Sequence, residues 1–381
     1  MSAATQPRRA RAMLERFGPL ITLVLLILAT AVCQRLRSGA DTFLSLENFR
    51  NILANWSFVG IIALGMTFII ISGGIDLSVG SLVAFAGGAG IWMMNTAIDA
   101  ARIRQEFSDA GQTNLPLPYS AFRADLANVM ISLHLAGSER VGVIIAVAIT
   151  LLIGVLAGIL NGLLVVRARI APFIATLGGL AAYRSLAMAM IDGGTFDSKS
   201  PDLFHRIAGG GIAIPGLHVS AGRPLIVPYP VFVFFFIALV MGVVLNKMRF
   251  GRYIFAIGNN ERAARYSGVN VDRVKILAYV LIGALTGISA LLVASHTNSV
   301  SSSSTGELYE LDVIAAVVVG GSRMTGGAGT IFGTVIGVLI LGVIGNMLNF
   351  LDVSIYLQGL IKGGIIVAAA FVQQIGQRET A

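Results

Sequence analysis

Residues 251–275, GRYIFAIGNNERAARYSGVNVDRVK, form a polar and basic segment between two hydrophobic ones, Tyr229–Asn246 and Ile276–Ser295. Together with Lys247 and Arg249, this segment carries seven positive charges against two acidic residues. Long apolar segments on both sides are typical of membrane helices. The segment itself contains the signals of an ordered surface structure rather than of a simple turn.

The middle of the segment predicts a short helix. Asn259 and Asn260 are favourable helix N-caps, and Glu261 falls in the first turn, where the helix dipole favours an anion. Residues 262–266 continue the helix, and Gly268 is suited to end it. A short surface helix between two membrane spans is the arrangement by which a transporter contacts a cytoplasmic motor protein.

The composition indicates a membrane protein that crosses the bilayer many times. Of 381 residues, 56% are hydrophobic and 12% are charged, and the mean hydropathy is +0.83. Soluble domains carry about a quarter charged residues. The net charge of +8 lies in loops between the predicted spans, so topology explains it better than nucleic-acid binding. A single cysteine, Cys33, excludes a disulfide framework within the chain.

Hydropathy predicts about ten spans, because a membrane helix needs about 20 apolar residues. They are residues 18–36, 52–72, 78–97, 139–166, 171–191, 229–246, 276–295, 310–321, 329–350 and 355–373. The short eighth span is expected to be a half-helix. With the N-terminus inside, the inner segments hold fifteen Lys and Arg residues, and the longer outer segments hold ten. The positive-inside rule therefore places both termini in the cytoplasm.

The fold class predicted is thus an all-α polytopic membrane protein with some discontinuous helices. It comprises a basic cytoplasmic N-terminus (1–17), a transmembrane domain (18–373) with a cytoplasmic loop (247–275), and a cytoplasmic tail (374–381). Two outer loops are long. Residues 98–138 are predicted to form a folded periplasmic segment, and residues 192–228 hold His205 and His218 without metal-ligand spacing. We expect each loop to be a lid or a docking surface.

The sequence lacks the residues of an enzyme. No GxxxxGK[ST] phosphate-binding loop occurs, and four scattered histidines form no nucleophilic constellation. A protein with a segment for docking a motor, but with no motor of its own, needs a separate ATPase subunit. We therefore expect no catalytic residue, no metal site and no cofactor in this chain, with ATP and Mg²⁺ bound by the partner.

The segment Ser72–Ser81, SGGIDLSVGS, interrupts an apolar run that otherwise extends from residue 58 to residue 97. Non-helical backbone at membrane depth is tolerated only where protein covers it or where it lines a wet cavity. A carboxylate there is costly, which makes Asp76 a candidate for function. The alternative is that Asp76 caps the next helix through the N–H groups of Ser78 and Val79. The two roles are compatible.

A second interrupted segment is Glu307–Gly329. Glu307, Glu310 and Asp312 are expected at the outer mouth of a short apolar run, either as a solvated first helix turn or as an entrance. The glycine pairs around Arg323 suit a discontinuous span that ends at a cavity.

Three further polar residues lie in predicted spans. Asn161 is expected to hydrogen bond between helices rather than to bind substrate. Arg184 and Lys362 are expected to pair with acids or to extend towards the interface. The predicted translocation-pathway residues are Gly73, Gly74, Asp76, Ser78, Ser81, Asn161, Gly320 and Gly321.

Four motifs in this order resemble the permease subunits of ribose-, xylose- and galactose-type ABC importers, within the monosaccharide and branched-chain amino-acid permease superfamily. They are ISGGIDLSVGS (71–81), FIATLGGL (173–180), GRYIFAIGNNERAARYSGVNV (251–271) and ELDVIAAVVVGGSRMTGGAGTIFGT (310–334). The resemblance extends from about residue 43 to residue 373. It implies the type II ABC importer permease fold in the bacterial inner membrane. Residues 98–138 depart from the family, which usually has a short connection there.

The resemblance also implies how the chain works. It implies import of a monosaccharide or related polyhydroxy solute, with sugar-import ATPase subunits, a periplasmic sugar-binding protein and a second permease copy as partners. Arg262 departs from the small residue usual in the family. The implied ATPase-coupling residues are Gly251, Asn260, Glu261, Ala263, Ala264 and Gly268. An ion-coupled secondary transporter, with an ion site at Asp76 or at the acids near residue 310, is the alternative function.

Overall fold

The fold is almost entirely helical. The computed structural model describes residues 6–38, 43–109, 118–191, 193–218, 222, 224–354, 357–361, 363, 364 and 367. The helices are α1 (Gln6–Ser38), α2 (Leu46–Ile71), α3 (Val79–Ile98), α4 (Ala100–Asp109), α5 (Pro118–Ser132), α6 (Glu139–Val166), α7 (Pro172–Ala189), α8 (Pro201–His205), α9 (Tyr229–Lys247), α10 (Arg249–Asn259), α11 (Glu261–Tyr266), α12 (Val271–Thr297), α13 (Tyr309–Val319) and α14 (Ile331–Phe350). The strands are β1 (Thr195–Asp197), β2 (Gly211–His218), β3 (Pro224–Pro228) and β4 (Ser299–Ser301).

Seven of these helices are long and apolar enough to span a membrane, among the residues that the structure describes. Their spans are Gly18–Leu36, Leu46–Ile71, Val79–Ile98, Glu139–Val166, Tyr229–Lys247, Val271–Thr297 and Ile331–Phe350. Each coincides with a predicted span, but the predicted number of ten is not confirmed. The helix at 310–321 is short, as expected, with only 11 residues. The predicted span at 355–373 lies largely outside the described residues.

The chain divides into two compact units. Unit 1 comprises the described residues of Met1–Asp76, Gly211–Ala278 and Tyr309–Ala381. Unit 2 comprises those of Leu77–Gly210 and Tyr279–Leu308. The chain therefore passes from unit 1 to unit 2 within the interrupted segment, directly after Asp76.

Unit 1 is built around α2. Every residue of α2 from Ser57 to Ile71 is buried, and helices α9, α13 and α14 pack around it. Polar pairs fix the register, because interhelical hydrogen bonds help to hold membrane helices together. The Thr67 and Thr334 hydroxyls lie 2.7 Å apart. The side-chain amides of Asn48 and Asn346 exchange two hydrogen bonds of 2.8 and 3.0 Å.

Unit 2 is built around α3, α6 and α12, and small residues allow these helices to approach closely. A Cβ atom on Gly154 of α6 would lie 2.5 Å from the Gly283 carbonyl oxygen of α12. Helices α3 and α6 run antiparallel, since the residue at the start of α6, Gly142, lies against Met94 near the end of α3. Small residues at such contacts let membrane helices gain van der Waals packing where there is no hydrophobic drive.

The described residues of the two long loops, 98–138 and 192–228, include helices and strands. Helices α4 and α5 pack against the end of α3 through a small core that includes Ala97, Ala127 and Met130. In residues 192–228, β1 pairs antiparallel with β4, and β2 pairs antiparallel with β3. The main-chain carbonyl of Asp197 accepts a hydrogen bond of 2.7 Å from Asn95, which ties this loop to α3.

Two local features differ from the sequence analysis. Helix α12 begins at Val271, earlier than the apolar run at Ile276, and so takes up the end of the polar segment. Helix α10 is not predicted there, although its buried Ile254 and Ile257 form one apolar helix face.

Candidate functional site

Helix α11 forms as its capping residues predict. The Asn260 side chain accepts a hydrogen bond of 3.0 Å from the Ala263 N–H, and Glu261 lies in the first turn. Gly268 ends the helix with φ +82°, a left-handed conformation that glycine adopts without strain. Asn259 has a different role from the predicted cap, since it is the last residue of α10.

Ion pairs fasten α11 to the start of α12. Glu261 accepts a hydrogen bond of 2.7 Å from Lys275 Nζ, and Arg265 lies 2.9 Å from Asp272 Oδ1. The hydrogen bond from Lys275, with a weaker contribution from Arg265, lowers the pKa of Glu261. The hydrogen bond to Asp272 raises the pKa of Arg265. These two ion pairs join α11 to the first turns of α12.

One face of α11 is buried and the other is exposed. Ala264 is buried, whereas Ala263 is exposed. Tyr266 is 91% exposed, which is unusual for a large aromatic side chain on an ordered helix. Exposed aromatic residues of this kind are enriched at protein interfaces. The open face of α11 is thus suited to contact another protein.

Helix α10, which directly precedes α11, packs against other parts of unit 1. The Phe250 ring at its start stacks on Phe68 of α2 at 5.8 Å. Gly251 lies so close to the end of α9 that a Cβ atom there would be 2.0 Å from the Leu245 carbonyl oxygen. At the end of α10, Gly258 meets the end of α2 and the α13–α14 loop.

We call this meeting point the glycine joint, defined by Ile71, Gly258, Gly326 and Gly327. The Gly327 N–H donates a hydrogen bond of 2.9 Å to the Ile71 carbonyl oxygen. A Cβ atom on Gly258 would lie 1.8 Å from that oxygen and 2.5 Å from the Gly327 nitrogen. Three chain segments therefore touch through their backbones, with no side chains between them. Displacement of one segment must displace the others, because packed protein is stiff.

The interrupted helices end in the same way as α11. Gly74 N–H donates to the Ile69 carbonyl and Gly73 N–H donates to the Ile70 carbonyl, with Gly73 at φ +82°. This is a Schellman motif. Gly321 closes α13 by the same pair of bonds, at φ +93°. Gly320, by contrast, lies where α13 packs against α14, since a Cβ atom there would be 2.3 Å from the Gly333 carbonyl oxygen.

The predicted pathway residues of unit 2 form a second cluster. Asn161 of α6 donates a hydrogen bond of 2.9 Å to the Ser78 hydroxyl, which confirms its expected role between segments. The Ser81 hydroxyl donates to the Ser78 carbonyl at 2.9 Å, and all three side chains are buried. Gly179 of α7 closes the cluster, because a Cβ atom there would be 3.1 Å from Ser78 Cβ.

Asp76 and the acids near residue 310 lie in two different segments. Ser78 occupies the N-cap position of α3, and Asp76 lies buried in the non-helical segment before it. The capping role of Asp76 stays a prediction. Glu310 and Asp312 do lie in the first turn of α13. Gly306, directly before Glu307, lies against the start of α3, since a Cβ atom there would lie 2.2 Å from the Gly80 carbonyl oxygen. Gly80 is about 27 Å along α3 from Ile98, at 1.5 Å per helical residue.

Arg184 donates two hydrogen bonds of 3.0 Å to the main-chain carbonyls of Ser302 and Thr305, contacts that the sequence did not predict. Neither the glycine joint nor the hydrogen bonds of Arg184 to residues 302 and 305 were identified from the sequence. The sequence shows the glycines at 258, 326 and 327, but it does not show that they lie next to one another in space.

The fold and these two regions define a multi-pass membrane permease: a helical membrane domain with interrupted spans, and an exposed helix that follows directly after the glycine joint in the chain. Residues 48–370 match the family described as the permease component of the branched-chain amino acid transport system. The chain therefore belongs to this family. It is located in the cytoplasmic (inner) membrane.

Individual relatives are similar over nearly the whole chain. The ribose import permease protein RbsC of Bacillus subtilis (strain 168) is 32% identical over 361 residues, covering 95% of this chain and 93% of the relative. The galactose/methyl galactoside import permease protein MglC of Salmonella typhimurium is 34% identical over 360 residues, covering 94% of each. The xylose transport system permease protein XylH of Haemophilus influenzae is 29% identical over 413 aligned positions, covering 94% of this chain and 98% of the relative.

Proposed function

We propose that the chain is the membrane-spanning subunit of an ATP-binding-cassette importer for a monosaccharide or a related polyhydroxy solute. Family membership and the names of the sugar permeases to which it is similar support this proposal. The observation that carries the mechanism is the glycine joint. It connects the helix best suited to receive a motor, α11, with the ends of both interrupted spans in unit 1.

In this mechanism a separate ATPase, which binds ATP and Mg²⁺, docks on the exposed face of α11. Closure of the ATPases displaces α11, and Gly258 transmits the displacement to Ile71 and Gly327. The segment after α2 and the loop after α13 then shift together. A periplasmic binding protein delivers the solute from the other side, and a second permease copy allows two ATPases to be engaged.

The ion-coupled alternative gains no support from the relatives, whose names describe import and transport permeases of sugars. The ATP-driven proposal also explains a feature that an ion-coupled carrier does not need. An exposed Tyr266 on a helix fixed by two ion pairs serves a partner protein rather than an ion.

Two substitutions in α11 test the proposal. Glu261→Arg removes both ion pairs of Glu261 and adds a like charge beside Lys275 and Arg265. Gly268→Pro cannot adopt the left-handed φ of +82°, because proline fixes φ near −65°. We expect both variants to reach the membrane and to lose ATP-driven uptake together with ATPase binding.

The matched control is Glu106→Arg in α4, which also breaks an i,i+4 ion pair with an arginine, at 2.7 Å. It should leave ATPase binding unchanged, because α4 lies in the predicted outer segment. Unchanged uptake and unchanged ATPase stimulation in both α11 variants would contradict the assignment of α11 as the coupling helix.

A further inference from the structure

The segment between β4 and α13, which belongs to unit 2, lies far along α3 from the end of that helix at Ile98. The side chain of Val300 lies against Gly87, and Gly306 lies against Gly80. Between these two residues the chain follows about 10 Å of the α3 axis, at 1.5 Å per helical residue. Helix α3 is one of the candidate membrane spans. Residues 301–306 are thus non-helical backbone at membrane depth.

This loop, which we call the serine loop (residues 301–306), contains four consecutive serines followed by a threonine. It closes partly on itself, since the Ser301 N–H donates to the Thr305 hydroxyl and the Ser304 N–H donates to the Ser301 hydroxyl. Arg184, which lies on α7, donates hydrogen bonds to two main-chain carbonyls of the serine loop. Helix α7 lies at the same level, because the Tyr183 ring stacks on Phe85 of α3 at 6.1 Å.

The loop is buried on one side only. Ser302 and Gly306 are buried, whereas Ser303, Ser304 and Glu307 are exposed. Irregular backbone and charged side chains at membrane depth do not face lipid; they face protein or a water-filled cavity. The exposed hydroxyls and the Glu307 carboxylate therefore point to a wet space within the membrane.

We propose that the serine loop, held open by Arg184, is a contact site for the transported polyhydroxy solute inside the membrane. The inference rests on the proposed function. Hydroxyls both donate and accept hydrogen bonds, and a carboxylate accepts them, so this surface matches a neutral solute that carries many hydroxyls. Weak and reversible hydrogen bonds are suitable here, because a pathway must release what it accepts. Arg184 acts as a positioning residue, since its donors are directed to the loop carbonyls.

Cysteine accessibility tests the proposal without requiring ATP-driven uptake. In a Cys33→Ser background, Ser304→Cys is introduced and treated in membranes with a small, charged, membrane-impermeant thiol reagent. Leu239→Cys is the matched control, since Leu239 is 68% exposed on the apolar helix α9. We expect labelling at position 304 and none at position 239.

Protection identifies the ligand class. Labelling is repeated with saturating D-ribose, D-xylose, D-galactose or a polyol, and with sodium chloride. We expect at least one polyhydroxy solute to slow labelling of Ser304→Cys several-fold. We also expect Arg184→Lys, which keeps the charge, to retain more of this protection than Arg184→Met.

No labelling at position 304 would overturn the wet site. Labelling without protection by any of these solutes, or protection by sodium alone, would overturn the solute site. If the ATPase failed to bind α11 but labelling and protection occurred as expected, the ATP-driven function would be wrong and this site would stand.

Discussion

Substitution of a single glycine by alanine should separate transport from ATP hydrolysis. In Gly258→Ala the new Cβ atom would lie 1.8 Å from the Ile71 carbonyl oxygen, whereas such contacts are essentially never shorter than 3.0 Å. The segments must therefore move apart by about 1.2 Å. The same movement would weaken the 2.9 Å hydrogen bond from the Gly327 N–H to the Ile71 carbonyl oxygen.

The magnitude follows from the two contributions. Overpacking in a well-packed region costs about 1–3 kcal/mol, and the hydrogen bond contributes about 0.5–1.5 kcal/mol. A loss of about 1.5–4.5 kcal/mol at the glycine joint results. Because about 1.4 kcal/mol lowers the population of the intact joint about tenfold, and uptake requires the intact joint, we expect ATP-driven solute uptake to fall at least about tenfold.

The assay compares solute uptake with ATP hydrolysis in proteoliposomes that contain the complete importer. Gly258→Ala should keep much of its ATP hydrolysis while uptake falls, because α11 itself is unchanged. Gly242→Ala in α9 is the matched control, since a Cβ atom there meets nothing within 4 Å. A folded Gly258→Ala importer with normal uptake per ATP would refute the claim that the joint transmits motion.

Three further predictions concern the same regions. Asn260→Ala removes the N-cap of α11 and should cost about 1 kcal/mol of local helix stability, seen as faster hydrogen exchange at residues 263–266; unchanged exchange would count against the cap. The folded-state pKa of Glu261 is lowered by Lys275, so its ion pair stabilises α11 above the unfolded carboxyl pKa and is lost as pH falls through the lowered value. The contribution of this ion pair to stability is below about 1 kcal/mol, since Glu261 is 44% exposed. Carboxyl chemical shifts measured against pH should show a higher pKa for Glu261 in a Lys275→Met variant. An unchanged pKa would contradict the pairing. Asn161→Leu leaves the buried Ser78 hydroxyl without its donor and should lower thermal stability by about 1–3 kcal/mol, more than Asn246→Leu on the exposed face of α9; equal effects would argue against a structural contact.

Local signals predicted helix α11 well. Asn260, Glu261 and Gly268 specify the start, the first turn and the end of α11 within nine residues, and each acts through its own neighbours along the chain. Hydropathy likewise located the long spans, because the requirement for about 20 apolar residues is independent of tertiary packing.

Contacts between distant segments could not be predicted in this way. The meeting of Gly258 with Ile71 and Gly327 depends on how three helices cross, and a glycine in sequence does not name its partner. The hydrogen bonds of Arg184 to residues 302 and 305 likewise depend on the return of residues 301–306 to the level of Gly80, which hydropathy does not show.

The predicted site residues differ in what the structure adds to them. Ser78, Ser81 and Asn161 lie together, and Gly73 and Gly321 end helices by the same motif. Gly320 lies in the packing between α13 and α14. Their roles in translocation stay predictions.

The most direct test of the central claim is the energy source of transport. Uptake of radiolabelled ribose, xylose and galactose would be measured in proteoliposomes containing this chain, its co-purifying ATPase and its binding protein, with ATP supplied or with an imposed proton or sodium gradient. The proposed importer predicts uptake of at least one sugar that requires ATP and persists when ionophores collapse the gradients. Uptake that follows the gradient and ignores ATP would contradict it.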